Sequence, residues 1–301
     1  MFATILSLQP RAASGGGKSR DEVLDEMASD ILERLPEPFN LEAVSDKFPT
    51  VYEESMNTVL QQEASRYNKV IVRLHTSLKD VRKALKGEVV MTAELELMGN
   101  QLFINQVPDI WAKVAYPSLK PLATWVPDLL SRVEFIHSWF ESGKPQVFWI
   151  SGFYFPQAFI TGCMQNHARK YQVPVDTVTY DYAMRDDVSP ETAVAPEDGA
   201  LVHGLFVEGA RWDETTHLLQ ESRPKELHTT LPIIHLLPVA NRVSPTDGFY
   251  TCPIYKTLSR FGVLSTTGHS TNFVMTIEIP SDKQQAHWIK RGVAGIAALN
   301  V

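Results

Sequence analysis

Leu60, Ala64, Tyr67, Ile71, Leu74, Leu78, Val81 and Leu85 form an apolar series whose gaps alternate between four and three residues until Gly87 interrupts it. That spacing marks one face of an α-helix and predicts a single long helix over residues 51–86. Thr50 and Glu53 have capping-box spacing at its start. At 1.5 Å per residue such a helix reaches roughly 50 Å, longer than a compact domain of this size needs internally. Its stripe can brace separate bodies or seal against neighbouring helices of its own domain.

The same periodicity recurs on either side. Val23, Leu24, Met27, Ala28, Ile31, Leu32 and Leu35 repeat at helical intervals behind Ser19 and Glu22, a second capping-box pair, and predict a helix over residues 20–34. The following stretch, LPEPFNLEAVSDKFPT, carries three prolines and reads as a connector with one short helical turn, so a boundary near residue 48 is expected. Beyond Gly87 the pattern predicts a helix capped by Thr92 and ended at Pro108, a short one after Asp109, and one from about Ser118 to Gly143 that Pro127 should kink or split. The run VFWISGFYF, residues 147–155, lies between Pro145 and Pro156 and reads as buried and extended. Pro156 then suits the first turn of a helix ending near Tyr171.

After residue 172 the pattern changes to short β-rich runs separated by turn signals: VDTVTYDY, ALVHGLFVEG, LPIIHLLPV, GFYTCPIYK and TNFVMTIEI, with a last apolar stretch, GVAGIAALNV. In FVMTIEI, Phe273, Met275 and Ile277 alternate with Val274, Thr276 and Glu278, the mark of a half-buried strand. No crossover helices separate these six or so strands. The expected fold class is therefore α+β: an N-terminal helical part including one long helix, followed by a mainly antiparallel β-sheet or incomplete β-barrel.

Composition narrows the functions open to such a polypeptide. With 44% hydrophobic residues, 301 residues suffice for a substantial core. The net charge is −7 and Lys and Arg are scattered, so the basic footprint of a nucleic-acid or anionic-lipid binder is missing; no nucleic acid and no membrane is expected as partner. No run approaches the roughly 18 apolar residues of a membrane span. Cys163 and Cys252 stand far apart without ligand spacing, which fits a reducing compartment. The apolar, β-prone start after Met1 has no evident strand partner nearby, so the sequence is expected to be a C-terminal piece of a longer polypeptide.

Candidate chemistry is sparse. GGGKSR, residues 15–20, imitates the end of a phosphate-binding loop, but Ala12 stands where the first glycine should be and no strand ending in a carboxylate follows to hold magnesium. A flexible lead into the capped helix explains the same residues. His203, His217, His228 and His235 cluster in the second half without chelating spacing, and His203 and His235 sit inside apolar strands, so no metal site is expected. LSTTGHSTNF, residues 264–273, sets hydroxyls beside His269 but lacks a nucleophile elbow and reads as a loop before a strand. The six tryptophans read as core, and Asp186, Asp187, Glu197 and Asp198 as solvated turn acids. No catalytic, cofactor-binding or metal-ligating residue is assigned.

Seven blocks decide more than these patterns. ESMNTVLQQEASRYNKVI, ALKGEVVMT, YPSLKPLATWVPDLLSR, VFWISGFYFPQAFITG, HGLFVEGARWD, CPIYKT and HWIKRGVAGIAALN, in this order, resemble the C-terminal region of dynein heavy chains nearly end to end. TILSLQPR with the GGGKS lead resembles the last part of the sixth AAA+ module of ciliary heavy chains. SLKPLATWVPDLL and LSTTGHSTNFV look most like the single-headed inner-arm axonemal proteins; Pro127 departs from that pattern.

The resemblance implies a division into residues 1–48, the end of the sixth AAA+ module; 49–172, the helical part of the C-terminal domain; and 173–301, its barrel-like β part. It implies a region that lies across a ring of six AAA+ modules, bracing and regulating a microtubule motor in the ciliary or flagellar axoneme. Its partners would be the AAA+ modules of the same polypeptide, and it would meet the microtubule only through the parent motor. The family hydrolyses ATP chiefly in the first module, so this region would be no enzyme and would need no cofactor. Two alternatives stand beside this: a docking platform for accessory axonemal subunits, and a stand-alone hydrolase using the His, Ser and Thr residues of the β half.

Overall fold

A computed structural model describes residues 18–263 and 270–299. The protein forms two compact units, one built from residues 18–41 and 64–134, the other from residues 42–63 and 135–299. Among the described residues, no helix is long and apolar enough to cross a membrane.

The first unit is helical. Helix α1 (Arg20–Arg34) carries both halves of the expected capping box: the Glu22 amide donates to Ser19 Oγ at 3.2 Å, and the Ser19 amide donates to the Glu22 carboxylate at 2.7 Å. Its buried side chains are Leu24, Ala28 and Ile31. From the second unit comes helix α3 (Ser55–Leu85), which enters the first at Ala64 and runs unbroken to Leu85. In this stretch Tyr67, Ile71, Leu74 and Leu78 are fully buried, and Leu60 upstream is as well. Helix α4 (Ala93–Phe103) begins at Thr92, whose Oγ1 accepts from the Leu95 amide at 3.3 Å.

α4 stops at Phe103, short of the predicted Pro108. Asn105 adopts a left-handed backbone (φ 61°), and its carbonyl and side-chain oxygens accept from the amides of Leu122 and Ala123 at 3.0 and 2.9 Å. One residue thus ends α4 and satisfies the orphan donors that open α6 (Leu122–Ser142), which starts after Pro121 and later than the expected Ser118. The short α5 (Asp109–Ala112) lies between them. Pro127 does not split α6; the helix continues through it with one donor fewer.

A cation and three aromatic rings fill the middle of this unit. Trp111 and Trp125 stack at 5.9 Å, Trp125 stacks on Tyr116 at 6.2 Å, and the Arg132 guanidinium lies 3.9 Å from the centre of the Tyr116 ring. Arg132 Nε donates to Asp128 at 2.7 Å, and the Tyr116 hydroxyl donates to the same oxygen at 2.7 Å. The indole N–H of Trp111 is satisfied by Ser77 Oγ at 2.8 Å. These buried polar tips therefore have partners, as burial demands.

In the second unit, α2 (Leu41–Lys47) supplies the short helical turn expected in the connector. α3 starts at Ser55, later than the predicted residue 51, and Thr50 does not cap it. Its first amides are met from elsewhere: the Ser55 amide donates to Asn166 Oδ1 at 2.8 Å and the Met56 amide to Glu54 Oε1 at 2.9 Å. Asn166 belongs to α7 (Pro156–Tyr171), which has Pro156 at its first position as predicted.

Glu63, two turns further along α3, is fully buried. Its carboxylate accepts from the amides of Tyr154 and Phe155 at 2.5 and 3.1 Å, immediately before α7. Pro156 has no N–H, so the preceding two amides are the donors available there, and an anion at a helix N-terminus also meets the positive end of its dipole. Around this junction Phe135, Trp139, Phe148, Phe153 and Phe159 pack ring to ring, with centroids 4.6 Å apart for Phe148–Phe159 and 4.7 Å for Phe153–Phe159.

The VFWISGFYF run is extended only over β1 (Val147–Trp149) and then turns through a 3-10 segment at Ile150–Gly152. β1 pairs in parallel with β3 (Ala200–His203), which pairs antiparallel with β8 (Ile233–Ala240), and β8 with β2 (Val178–Arg185). A second, five-stranded sheet has the order β10 (Phe273–Pro280), β9 (Phe249–Thr257), β11 (Ala294–Ala298), β4 (Phe206–Glu208) and β7 (His228–Thr230). β5 (Ala210–Asp213) and β6 (Leu218–Glu221) form a separate hairpin, and α8 (Gln285–Lys290) lies between β10 and β11. The pairings are antiparallel except β1 with β3 and β9 with β11, and no closed barrel forms among the described residues, in keeping with the expected α+β class.

Two details differ from the expected strands. ALVHGLFVEG is not one strand: Gly204, at φ 91°, ends β3 and sends the backbone into β4 of the other sheet. A Cβ there would stand 2.4 Å from the Trp149 ring, so only glycine fits. In β10 a bulge between Phe273 and Met275 resets the alternation. The buried positions become Val274, Ile277 and Ile279, whereas Phe273 and Met275 are half-buried.

Replacing Glu63 by Ala removes a buried acceptor from the Tyr154 and Phe155 amides and should cost about 2–4 kcal/mol in urea unfolding. Glu63→Gln, which keeps an acceptor, should lose clearly less; equal losses for the two variants would contradict this role.

Candidate interaction surfaces

The residues singled out for chemistry are placed apart. His203 is half-buried in β3, and burial lowers its pKa. The exposed His217 ring stands 2.8 Å from Asp186, His235 Nε2 lies 2.8 Å from the Asp198 carbonyl, and His228 is on edge strand β7. Among the described residues, no three His, Cys, Asp or Glu side chains converge as metal ligands do. Residues 264–269, with His269, lie outside the described residues, as do Gly15–Gly17. Lys18 pairs with Glu26 at 2.5 Å, beside the capping box.

Two of the turn acids are more than solvated. Asp186 accepts from Trp212 Nε1 at 2.9 Å as well as facing His217, so it ties the β5–β6 hairpin to the end of β2. Burial alone would raise its pKa, but the hydrogen bonds from Trp212 and His217 hold it below the ordinary carboxylate range. Asp198 accepts from Lys170 at 2.8 Å and from the Tyr171 hydroxyl at 2.6 Å, joining the end of α7 to the turn before β3. Of the tryptophans, Trp111, Trp125, Trp139 and Trp288 are buried, and Trp149 and Trp212 are half-buried.

The stripe of the long helix and the aromatic run are both covered. The Leu60 to Val81 stripe is buried throughout, and in the aromatic run Phe148, Ile150 and Phe153 are buried too, while Phe155 is 40% exposed. The stripe therefore seals the protein's own core, and contact with other bodies falls to other faces.

One such face lies in the first unit. Ser65, Lys69, Val72, Arg73 and Thr76 share the side of α3 opposite the stripe and form one wall of an open groove of about 680 Å³. Leu41, Val72, Ile110 and Val114 give it an apolar floor; Leu41 is 42% and Val72 50% exposed. Lys69, Arg73 and Lys113 supply its charge, and among the described residues no carboxylate lines it. Arg73 is paired with Glu94 at 3.4 Å, which leaves Lys69 and Lys113 as the cations of this lining without a carboxylate partner among the described residues. A smaller cavity of about 150 Å³ in the second unit, beside Met56, Cys163 and His167, has its cations matched: Lys144 faces Glu54 at 3.3 Å and Lys170 faces Asp198.

Residues 1–297 match the family described as the C-terminal domain of dynein heavy chains. The sequence is 56% identical over 300 residues to dynein axonemal heavy chain 1 of Rattus norvegicus, covering all of this sequence and 7% of that protein. It is 50% identical over 303 residues to dynein axonemal heavy chain 3 of Mus musculus, again covering 7% of it, and 48% identical over 302 residues to dynein axonemal heavy chain 12 of Homo sapiens, covering 10%. In each case all of this sequence is aligned, so it spans no more than a tenth of the relatives' length.

Burial pushes both Cys163 and Cys252 up to about 12, and neither thiol is bonded to the other. Iodoacetamide at pH 8 should therefore leave both unmodified in the folded protein and alkylate both in denaturant; rapid native labelling of either would contradict their burial. Because the folded state holds Asp186 ionised, its contribution to stability is present above about pH 4 and disappears as the pH falls through the depressed value. Asp186→Asn should flatten the acid limb of a melting-temperature profile, and an unchanged limb would remove Asp186 from the acid response.

Proposed function

The protein belongs to the family formed by the C-terminal domains of dynein heavy chains, and from that membership we propose that it braces and regulates the AAA+ ring of an axonemal motor without chemistry of its own. The observation that carries this is the match over nearly the whole sequence to axonemal heavy chains. In this reading residues 1–48 complete the sixth AAA+ module, 49–172 form the helical part of the C-terminal domain and 173–301 its β part. The parent motor, acting on microtubules in the cilium or flagellum, would supply ATP hydrolysis elsewhere in its length.

A mechanical role is a thermodynamic statement. A brace changes the motor cycle only if its contacts with the ring differ in free energy between ring states; equal contact with every state shifts nothing. Helix α3 suits such a task. α3 presents a polar and basic face over the same length on which it buries an apolar one, so the helix can be loaded from outside while anchored from inside.

Motors lacking residues 50–301 should differ from intact motors in gliding velocity, stall force or the coupling of ATPase to microtubules. Identical values for all three would defeat the proposal.

A further inference from the structure

We propose that Ser244, in the loop between β8 and β9, is a phosphorylation site for a proline-directed Ser/Thr protein kinase, and that its phosphate draws Arg242 away from Asp181 of β2. The proposal goes beyond the bracing role and does not depend on it, since it concerns one loop of the second unit and the ion pairs beneath that loop.

The sequence contains two Ser-Pro dipeptides, Ser189-Pro190 and Ser244-Pro245, and the structure sets them in opposite situations. Residues 242–245 belong to no helix or strand, and among the described residues no backbone hydrogen bond holds residues 242–247. Ser244, Pro245 and Thr246 are exposed, and Val243 keeps 89% of its surface in contact with water. A loop with its backbone free enters a kinase cleft without unfolding anything else. Ser189 is half-buried and locked in a turn: its carbonyl accepts from the Thr192 and Ala193 amides at 3.1 and 2.9 Å, its amide donates to Thr192 Oγ1 at 3.0 Å, and its hydroxyl lies 3.2 Å from the same oxygen. A phosphate there would also join Asp187 and Glu191, near neighbours in sequence with the same sign of charge.

Transfer of the γ-phosphoryl group of ATP forms a bond from Ser244 Oγ to phosphorus and breaks the bond from that phosphorus to the bridging oxygen, which leaves with ADP; the hydroxyl proton passes to the kinase's base. The product carries about −1.5 to −2 charges at pH 7 and three strong acceptor oxygens. Arg242 Nη1 already donates to Ser244 Oγ at 3.3 Å, so a cation stands ready for them. That guanidinium has no donor to spare. Its Nε and Nη2 donate to Asp181 Oδ1 at 3.3 and 3.0 Å, Nη1 also donates to Glu278 Oε1 at 3.1 Å, and Nη2 to Glu278 Oε2, which engages all its N–H groups. The phosphate therefore gains donors only by displacing a carboxylate. The Asp181 side chain is 54% exposed and returns to water at little cost, whereas that of Glu278 is 13% exposed and would be stranded. Asp181 gives way. Because Asp181 lies on β2 and Glu278 on β10, edge strands of the two sheets, the displacement undoes one tie between the sheets and leaves the Tyr182 hydroxyl, which donates to the Thr276 carbonyl at 2.8 Å.

The test uses purified intact heavy chain, stripped of phosphate by a phosphatase and then incubated with ATP and a proline-directed kinase of the cyclin-dependent class. Peptide mass spectrometry should find phosphate on Ser244 about tenfold ahead of Ser189, whose turn must first open, and Ser244→Ala should remove it from that peptide. Hydrogen exchange of peptides covering β2 should then rise about two- to fivefold, the range that loss of a half-exposed ion pair supports, and fall back after phosphatase. In Asp181→Ala the same exchange should be raised beforehand, and phosphorylation should add nothing to it. Absence of phosphate from Ser244, equal labelling of Ser189, exchange unchanged by the phosphate, or an undiminished further rise in Asp181→Ala would overturn the proposal. None of these outcomes bears on velocity, stall force or ATPase coupling, which decide the bracing role separately.

Discussion

A fully buried carboxylate is the constraint on which the second unit turns. Glu63 costs several kcal/mol to desolvate unless its oxygens are fully engaged. It is engaged by the two amides that precede Pro156, so the position of α3 and the start of α7 are set by one requirement. Lys256 of β9 answers the same charge from the sheet: burial pulls its ammonium below the ordinary lysine range, and Glu63 pushes it back up. α3 and the start of α7 are thus bound to a common anion, while the aromatic cluster beside it contributes apolar burial without directional demands.

The first unit meets the same kind of problem with the opposite sign. Arg132 is buried against Tyr116 and Asp128, and its charge is satisfied within one helical turn by Asp128 and by the ring face. Each unit therefore holds a charge inside, each satisfied by a short list of partners that no apolar residue could replace in kind. Such arrangements favour one packing over near alternatives, because a shifted helix would strand the charge.

Much of this architecture is legible in the residues themselves wherever the cause is local. Ser19 with Glu22, Thr92 before Leu95, and Pro156 at a first turn specify helix starts through contacts three residues long. What escapes such reading is set by distant partners. α3 begins at Ser55 because Asn166 accepts its first amide, and α4 ends at Phe103 because Asn105 serves α6. The β10 alternation is displaced by a bulge, and the β5–β6 hairpin and α8 are too short to show a period. Glu63 looks like any helical glutamate, and the groove is composed of residues from α3 and the α5 region whose convergence no spacing announces. The dynein resemblance, carried by blocks of identical letters, is legible where a functional site is not.

The second unit is built from residues 42–63 and 135–299, with residues 64–134 committed to the other unit in between. During synthesis its first piece must therefore wait while roughly seventy residues leave the ribosome, about 4–14 s at 5–20 residues per second. Over that interval Glu63 has neither of its amide partners, and the early turns of α3 have no Asn166 to close them. The beginning of α3 therefore waits for partners from residues 135–299, whereas its part beyond Ala64 can pack against residues of its own unit that end at residue 134.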